Sequence, residues 1–330
     1  MSVHRNQILD GWRGISISLV LIGHLFPVGP KAWDLNGAVA ATGMVIFFIL
    51  SGFLITSLLL RDGHVGHFLV RRFMRILPLA WLVMLVTLLL TGSTAEVWQR
   101  HFSFTANLPL PDTALIPATS HFWSLCVEMQ FYVTIALLVR LLRTRAMYLL
   151  PLFALLVTGN RVLAGAYIDI HTLLRVDEIL AGCILALIYH WRQDSIGPWL
   201  ARVHPLVLLP LVVLAAHPAG GWLNYLRPYL AMWMIGSTLM LHRDDAFQRL
   251  LCGRVLAYLA TVSYALYVFH GGLRETWLAS GDTLERYLKR PLFLAATFAL
   301  AHLSTFHYER HFMAWGKHLT RHPAHRQGSE

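Results

Sequence analysis

The chain has 330 residues, of which 56% are hydrophobic and only 13% are charged, and its formal net charge is +10 at pH 7. Soluble globular domains are about 25% charged, so this composition excludes an ordinary soluble enzyme and indicates an integral membrane protein. The basic residues come in short clusters between long apolar runs, without the continuous basic stripe that a phosphate backbone needs. We therefore expect no nucleic-acid partner.

Apolar segments follow one another along most of the chain, and a membrane-spanning helix needs about 20 mostly apolar residues. The first segment has Asp10 and Arg13 at its head and no small-residue cleavage site, which favours a retained helix over a cleaved signal peptide. We predict an all-α fold, a polytopic transmembrane bundle of about ten helices. The predicted helices are 9–27, 38–60, 75–92, 121–140, 146–160, 173–190, 203–217, 226–242, 254–271 and 290–307.

The lysines and arginines that flank these helices predict the orientation of the bundle. If the N-terminus is cytoplasmic, seventeen lie on the cytoplasmic side and eight on the outer side, with Arg13 and Arg175 inside helices. Both termini are therefore predicted to be cytoplasmic. We expect a transmembrane domain over 1–310 and a basic cytoplasmic tail over 311–330, whose histidines lie near anionic lipid heads and bind no metal.

The three cysteines all lie in or beside apolar runs and include no CxxC pair. Such residues behave as small buried hydrophobes, so neither a disulfide framework nor a metal site is expected.

The first predicted helix carries an arginine and a histidine, for which an ordinary membrane anchor has no use. Ten residues separate Arg13 from His24, which places them about 16 Å apart along a helix at its usual rise. Eleven steps of about 100° make roughly three full turns, so both side chains lie on the same face. One helix face thus presents a cation near the cytoplasm and a titratable ring further across the membrane.

The segment LDGWRGISISLVLIGH at 9–24 resembles the opening of the acyltransferase-3 family of integral membrane acyltransferases, whose first helix carries an arginine, ten residues and a histidine. The departures from the family pattern are Met129, where a second acidic residue is common, and Phe269-His270-Gly271, which replaces a more usual Trp-His-Trp-Pro. Four further segments match in the family's order: FFILSGFLI at 47–55, RRFMRILPLAW at 71–81, FWSLCVEMQFY at 122–132 and SYALYVFH at 263–270.

This resemblance implies a membrane-bound O-acyltransferase in the cell inner (cytoplasmic) membrane. It moves an acyl group, commonly acetyl from cytoplasmic acetyl-CoA, to a hydroxyl of a carbohydrate or glycolipid acceptor. Acyl-CoA is then a substrate, and no permanently bound cofactor is expected.

A cytoplasmic cluster of arginines is the predicted site for the phosphates of acyl-CoA, because guanidinium groups form forked, charge-assisted hydrogen bonds with phosphate oxygens. Arg13 belongs to it, together with Arg72 and Arg75, which match an Arg-x-x-Arg pattern of the family and point the same way on a helix. Arg71 is expected to serve membrane topology and lipid contact instead.

Acyl transfer to a hydroxyl needs a base for the attacking oxygen, or a nucleophile that first accepts the acyl group. His24 can act in either way near neutral pH, and the sequence leaves direct attack and an acyl-histidine relay both open. Glu128, about two turns into the fourth predicted helix, is the predicted partner that orients His24. Ser124, one turn outward, is a candidate contact for the acceptor.

Further candidates for the acceptor site lie near the predicted outer ends of the helices. Arg175 and Asp177 either pair with each other or line the acceptor cavity, and His270 is a candidate acceptor contact. Donors to the oxyanion of the tetrahedral intermediate are sought among Arg175, Tyr264 and the amides around residues 51 and 52. Trp98, Trp123, Trp222 and Trp277 are typical of an interfacial belt, with sugar stacking as the alternative for one or two.

A second class of function stays open on this sequence. Intramembrane Arg, His and Glu also mark proton relays, so a proton-coupled transporter or a flippase of lipid-linked sugars is the alternative. The arginine cluster at one membrane face favours the enzyme, because a transporter has no special need for phosphate ligands beside a histidine-bearing helix.

Overall fold

The helices follow the apolar segments of the sequence in a computed structural model that describes residues 3–110, 112–240 and 245–320. Within these ranges the fold is all-α, with short 3-10 turns between several helices. The α-helices are α1 Val3–Leu25, α2 Leu35–Asp62, α3 Val65–Thr91, α4 Ala95–Phe102, α5 Trp123–Leu142, α6 Ala146–Leu163, α7 Asp177–Trp191, α8 Gln193–Leu200, α9 Pro205–Ala216, α10 Leu223–Met240, α11 Ala246–Leu251, α12 Arg254–Leu273, α13 Thr283–Leu303 and α14 Arg310–Leu319.

Several helix boundaries differ from the predicted ones. The third helix begins at Val65 instead of 75, because the basic segment before the apolar run is itself helical. The segment between the predicted helices 75–92 and 121–140 contains α4, which Thr94 caps by accepting a hydrogen bond from the Val97 amide. The last two residues of the predicted helix 226–242 lie outside the described residues.

Among the residues that the structure describes, five segments are long and apolar enough to cross a membrane, and a sixth results if α8 and α9, which meet at a 78° bend, form one span. The five are Gln7–Leu25, Leu35–Asp62, Val65–Thr91, Pro117–Leu163 and Arg254–Leu273. The segment Pro117–Leu163 includes both α5 and α6. Ten crossings stay a prediction, because α7 has only 15 residues and α10 carries Arg227 among its apolar residues.

The centre of the bundle is α2, whose residues from Gly43 to Leu59 are almost all buried. A helix that is apolar all round must be enclosed by protein or lipid. Here α1, α7, α9 and α10 pack against α2. Outward faces of α3 and α6 instead expose large apolar side chains, such as Leu90 and Leu155, which a lipid environment would cover.

The contact between α2 and α7 depends on two glycines. A Cβ atom on Gly182 would collide with the carbonyl oxygen of Ile49, and one on Gly52 would collide with that of Ile179. Small residues at such crossings let two backbones approach closely, as is common in membrane bundles. Ser51 lies next to Gly52 in α2, and Arg175 lies just before the start of α7. Each of them lines one of the two cavities described below.

This crossing makes a testable prediction about stability. We expect Gly182→Ala to lower the free energy of unfolding by at least about 1 to 3 kcal/mol, because the added methyl group overpacks a rigid backbone contact. The measurement is the thermal unfolding midpoint of the protein in detergent. Gly159→Ala on α6 is the matched control, since its Cβ meets nothing within 4 Å. Equal midpoints for the two variants would contradict the close crossing.

The first half of the predicted tail is a helix. In α14, Gly316 packs against Met74 of α3, and Thr320 just beyond the helix accepts a hydrogen bond of 2.8 Å from Nε of Arg71. The segment 321–330 of the predicted tail lies outside the described residues.

Candidate active site

Arg13 and His24 line two neighbouring cavities from the same helix, α1. We call the first the narrow cavity; it has a volume of about 70 Å³ and its wall includes Arg13, Ser51 and Glu128. The second, the wide cavity, has a volume of about 690 Å³ and its wall includes His24. Met44 and Tyr267 line both cavities, so these two side chains lie between them.

The narrow cavity gathers three arginines. Arg72 and Arg75 of α3 line it together with Arg13, as the sequence predicts, because the early start of α3 puts both on one helical face. Arg13 also pairs with Asp10 at 3.0 Å, in a contact that leaves the Asp10 side chain 45% exposed. Exposed pairs of this kind contribute little to stability, so Arg13 is available to a stronger anionic ligand. Arg71 instead bonds to Thr320.

The structure corrects the predicted pairing of Glu128 with His24. Glu128 lines the narrow cavity, where its carboxylate accepts hydrogen bonds from the hydroxyls of Ser51 and Tyr132. Glu128 lies inside the bundle, as its depth along α5 predicts. The rotation of α5 about its axis, however, points the Glu128 side chain toward Ser51 of α2. Glu128 is therefore the anionic wall of the arginine-lined cavity.

The partner of His24 is His270 of α12. Nδ1 of His24 lies 3.0 Å from Nε2 of His270, and the two rings stack with centroids 5.2 Å apart. Nδ1 of His270 lies 2.7 Å from the carbonyl oxygen of Tyr267. Because a carbonyl oxygen only accepts, the neutral His270 carries its proton on Nδ1 and accepts at Nε2. His24 then donates from Nδ1, and its Nε2 keeps a lone pair.

A third histidine, His121, belongs to the same group and was missed by the sequence analysis. Its ring centroid lies 4.9 Å from that of His270, and its Nε2 lies 3.3 Å from the carbonyl oxygen of Val268. The ring fits only because residue 271 is glycine, since a Cβ there would collide with it. Gly271, which departs from the usual Trp-His-Trp-Pro of the family, was therefore the one sign in the sequence that another side chain packs against this position.

Of the pair Arg175 and Asp177, only Arg175 lines the wide cavity. Its guanidinium lies over the Trp123 ring, 5.1 Å from the centroid. Asp177 is fully buried and pairs with Arg161 instead, at 2.5 Å. Arg175 therefore lines the acceptor-side cavity, as one of the two alternatives drawn from the sequence predicts. The other alternative, a pair between Arg175 and Asp177, is not formed.

Ser124 and Tyr264 do not lie where acceptor contacts were predicted. Ser124 lines neither cavity, because its hydroxyl is buried 2.6 Å from that of Tyr267. Tyr264 lines the narrow cavity and donates its hydroxyl to the carbonyl oxygen of Ile76, which leaves that proton unavailable to an oxyanion. His270, in contrast, lines the wide cavity as expected of an acceptor-side residue.

Outside both cavities, the junction of α2 and α3 brings together Asp62 at the end of α2, His64 between the helices and His67 in α3, with ligand-type atoms all within 4.8 Å. Hydrogen bonds to Asp62 raise the pKa of His64, and a metal would need that ring neutral. Arg140 and Arg143 line the same surface depression and oppose a cation. This cluster is a weak candidate for a metal, and the arrangement favours protonated histidine.

A family model of acyltransferase 3, described as an acyltransferase domain, matches residues 6–309. The chain belongs to the acyltransferase-3 family. The match contains every residue of this acyltransferase-3 protein that lines the two cavities, whereas α14 lies beyond it.

Curated relatives of this acyltransferase-3 chain are O-acetyltransferases by name. It is 25% identical over 316 residues to a Staphylococcus aureus (strain COL) protein named "Putative O-acetyltransferase SACOL0978", covering 79% of this chain and 49% of the relative. It is 23% identical over 312 residues, with the same coverage, to the O-acetyltransferase OatA of Staphylococcus aureus (strain NCTC 8325 / PS 47). The chain thus spans about half the length of these relatives. No solved structure is significantly similar to it.

Proposed function

We propose that this acyltransferase-3 protein transfers an acetyl group from acetyl-CoA to a hydroxyl of a carbohydrate or glycolipid acceptor. The observation that carries the proposal is the position of Arg13 and His24 on one helix, each in its own cavity, with Met44 and Tyr267 common to both walls. The names of the relatives support acetyl as the group transferred. The acyl donor then approaches from the arginine side and the acceptor from the wide cavity.

The narrow cavity is the proposed donor side. Arg13, Arg72 and Arg75 bind the phosphates of CoA at its mouth, and the thin pantetheine arm carries the thioester past Met44 and Tyr267 toward His24. Glu128 offsets part of the positive charge before the donor binds, and its bonds with Ser51 and Tyr132 keep the carboxylate in one place. By the positive-inside rule, this side and both termini face the cytoplasm, in the inner membrane.

His24 is the proposed base. Its Nε2 takes the proton of the acceptor hydroxyl as the oxygen attacks the thioester carbonyl, and the tetrahedral intermediate then collapses with cleavage of the carbon–sulfur bond. The proton passes from His24 to the departing thiolate, which leaves an O-acetyl ester and free CoA. In the relay alternative, Nε2 itself attacks the thioester carbonyl and releases the CoA thiolate, and the hydroxyl then attacks the acetyl-imidazole. Its proton goes to the thiolate, so the products are the same O-acetyl ester and free CoA.

His270 positions His24 in this scheme. Because His270 accepts from Nδ1 of His24, it holds the tautomer in which Nε2 is basic, and the stacked rings restrict the orientation of the imidazole. A neighbouring histidine stabilises a protonated His24 less than a carboxylate would, so both rings are neutral until Nε2 of His24 takes the proton of the acceptor hydroxyl.

We expect His270→Ala to lower kcat about tenfold or more while KM for acetyl-CoA stays within about twofold, because donor binding occurs in the other cavity. The pH dependence of kcat should also shift, since His24 loses its fixed tautomer. The measurement is steady-state acetyl transfer across a pH series. An effect confined to KM, with an unchanged pH profile, would show that His270 contacts substrate only.

The direct test of the function is a turnover assay. Purified protein in detergent is incubated with radiolabelled acetyl-CoA and total cell-envelope glycans, and label in the glycan fraction is measured. We expect base-labile label that depends on His24. If the protein instead moves lipid-linked sugars across the membrane of vesicles and transfers no acetyl group, the transporter alternative is favoured.

A further inference from the structure

A buried cluster of charged residues supports the wall of the wide cavity beneath Arg175. All of its members are at most 2% exposed. Arg161 pairs with Asp177 at 2.5 Å, Arg227 pairs with Glu178 at 2.8 Å, and Arg175 lies 3.3 Å from Glu178. The members are Arg161, Arg175, Asp177, Glu178 and Arg227.

The charges in this cluster do not balance. It contains three guanidinium groups and two carboxylates, and arginine keeps its proton in proteins. Counted over these five residues alone, one positive charge is left over at a site almost without solvent. Burial of an uncompensated charge is unfavourable, so an anion that reaches Arg175 is favoured.

Arg175 is the member of the cluster that can meet such an anion. It lines the wide cavity, while Arg161 and Arg227 do not. Within the described parts of the chain, its buried Nη1 has no hydrogen-bond partner, whereas its Nε is the atom that lies 3.3 Å from Glu178. The Trp123 ring beneath the guanidinium holds its plane in place. Two acidic residues line the same wall: Asp169 lies 2.6 Å from Nδ1 of His171, and Glu275 is matched by the cation of Arg274.

We propose that the acceptor is an acidic glycan, whose carboxylate or phosphate binds Arg175 before the acetyl group is transferred. This inference rests on the proposed function and names the class of its acceptor. The Nη1 atom of Arg175, which has no partner among the described residues, is satisfied when an acid group of the acceptor forms a charge-assisted bond with it. The transient oxyanion of the reaction has the same chemistry, but it exists only during turnover.

The test compares two small probes that differ in one acid group, methyl β-D-glucuronide and methyl β-D-glucoside. Binding to the full chain in detergent is measured by isothermal titration without acetyl-CoA. We expect the uronide to bind about tenfold or more tightly than the glucoside, and Arg175→Gln to remove that difference. Arg175→Lys should keep only part of it, since lysine retains the charge but not the fork. Arg286→Gln, outside the cavity, should bind like the wild type.

Equal affinity of the wild type for the two probes would overturn the proposal. So would a lower kcat in Arg175→Gln with unchanged uronide affinity, because that result assigns Arg175 to the oxyanion. Failure of the proposed function has a different signature, namely no acetyl transfer from acetyl-CoA to any glycan, and the probe preference can be measured independently of it. If Arg175→Gln fails to accumulate, Arg175→Lys and the two wild-type titrations still decide the question.

Discussion

Replacement of His24 by alanine is expected to lower acetyl transfer by at least about a hundredfold, because the variant loses the base or nucleophile of the reaction. The protein should still insert and accumulate, since His24 is only partly buried and its hydrogen-bond partner is another side chain on the cavity wall. The measurement is label transferred to glycans at equal protein amounts in membranes. His311→Ala on α14 is the matched control, because His311 is exposed and lies outside both cavities.

The same variant also separates the two chemical routes. With radiolabelled acetyl-CoA and no acceptor, an acyl-histidine relay leaves label on the wild-type protein that is absent from His24→Ala, whereas direct attack leaves no label on either. Transfer at the wild-type rate by His24→Ala would remove His24 from the mechanism under both routes.

The second large effect is expected at the arginines of the narrow cavity. Arg75→Ala should weaken acetyl-CoA binding about tenfold or more, and added salt should reduce the difference from the wild type, because the lost contact is with phosphate. Arg13→Ala should act in the same direction. The matched control is Arg71→Ala on the same helix, since Arg71 bonds to Thr320 and does not line the cavity.

A truncated donor makes this test specific. Acetyl-pantetheine keeps the thioester and the thin arm but lacks the nucleotide and its phosphates. We expect Arg75→Ala to bind acetyl-pantetheine as the wild type does, while its affinity for acetyl-CoA falls. If both donors weaken equally, Arg75 holds the shape of the cavity and the phosphate assignment fails.

The hydrogen-bond partners of Glu128 are a feature of the site that the sequence does not predict. Position along α5 was available from helix rise, because a residue two turns in from the helix start has a definite depth. The direction in which Glu128 points depends on how α5 rotates against α2, and the structure turns it to Ser51. His24 meets His270, which is 246 residues away in the chain. No local periodicity connects two such positions.

The charged cluster behind Arg175 has the same origin. The sequence shows Arg175, Asp177 and Glu178 close together, and it leaves both pairing and cavity lining open for Arg175 and Asp177. The structure brings Arg161 from α6 and Arg227 from α10 into the same site. These two helices supply the surplus charge on which the inference of an acidic acceptor depends.

Local patterns in the sequence are enough to predict the all-α fold, the positions of most helices and the placement of Arg13 and His24 on one face of α1. These properties follow from local periodicity and from the low tolerance of lipid for charge. Packing between helices instead sets which cavity each side chain lines, that His270 and not Glu128 bonds to His24, and that Nη1 of Arg175 has no hydrogen-bond partner among the described residues. Those outcomes depend on helix rotation and close crossings such as that at Gly182, which are set by packing between segments distant in the chain.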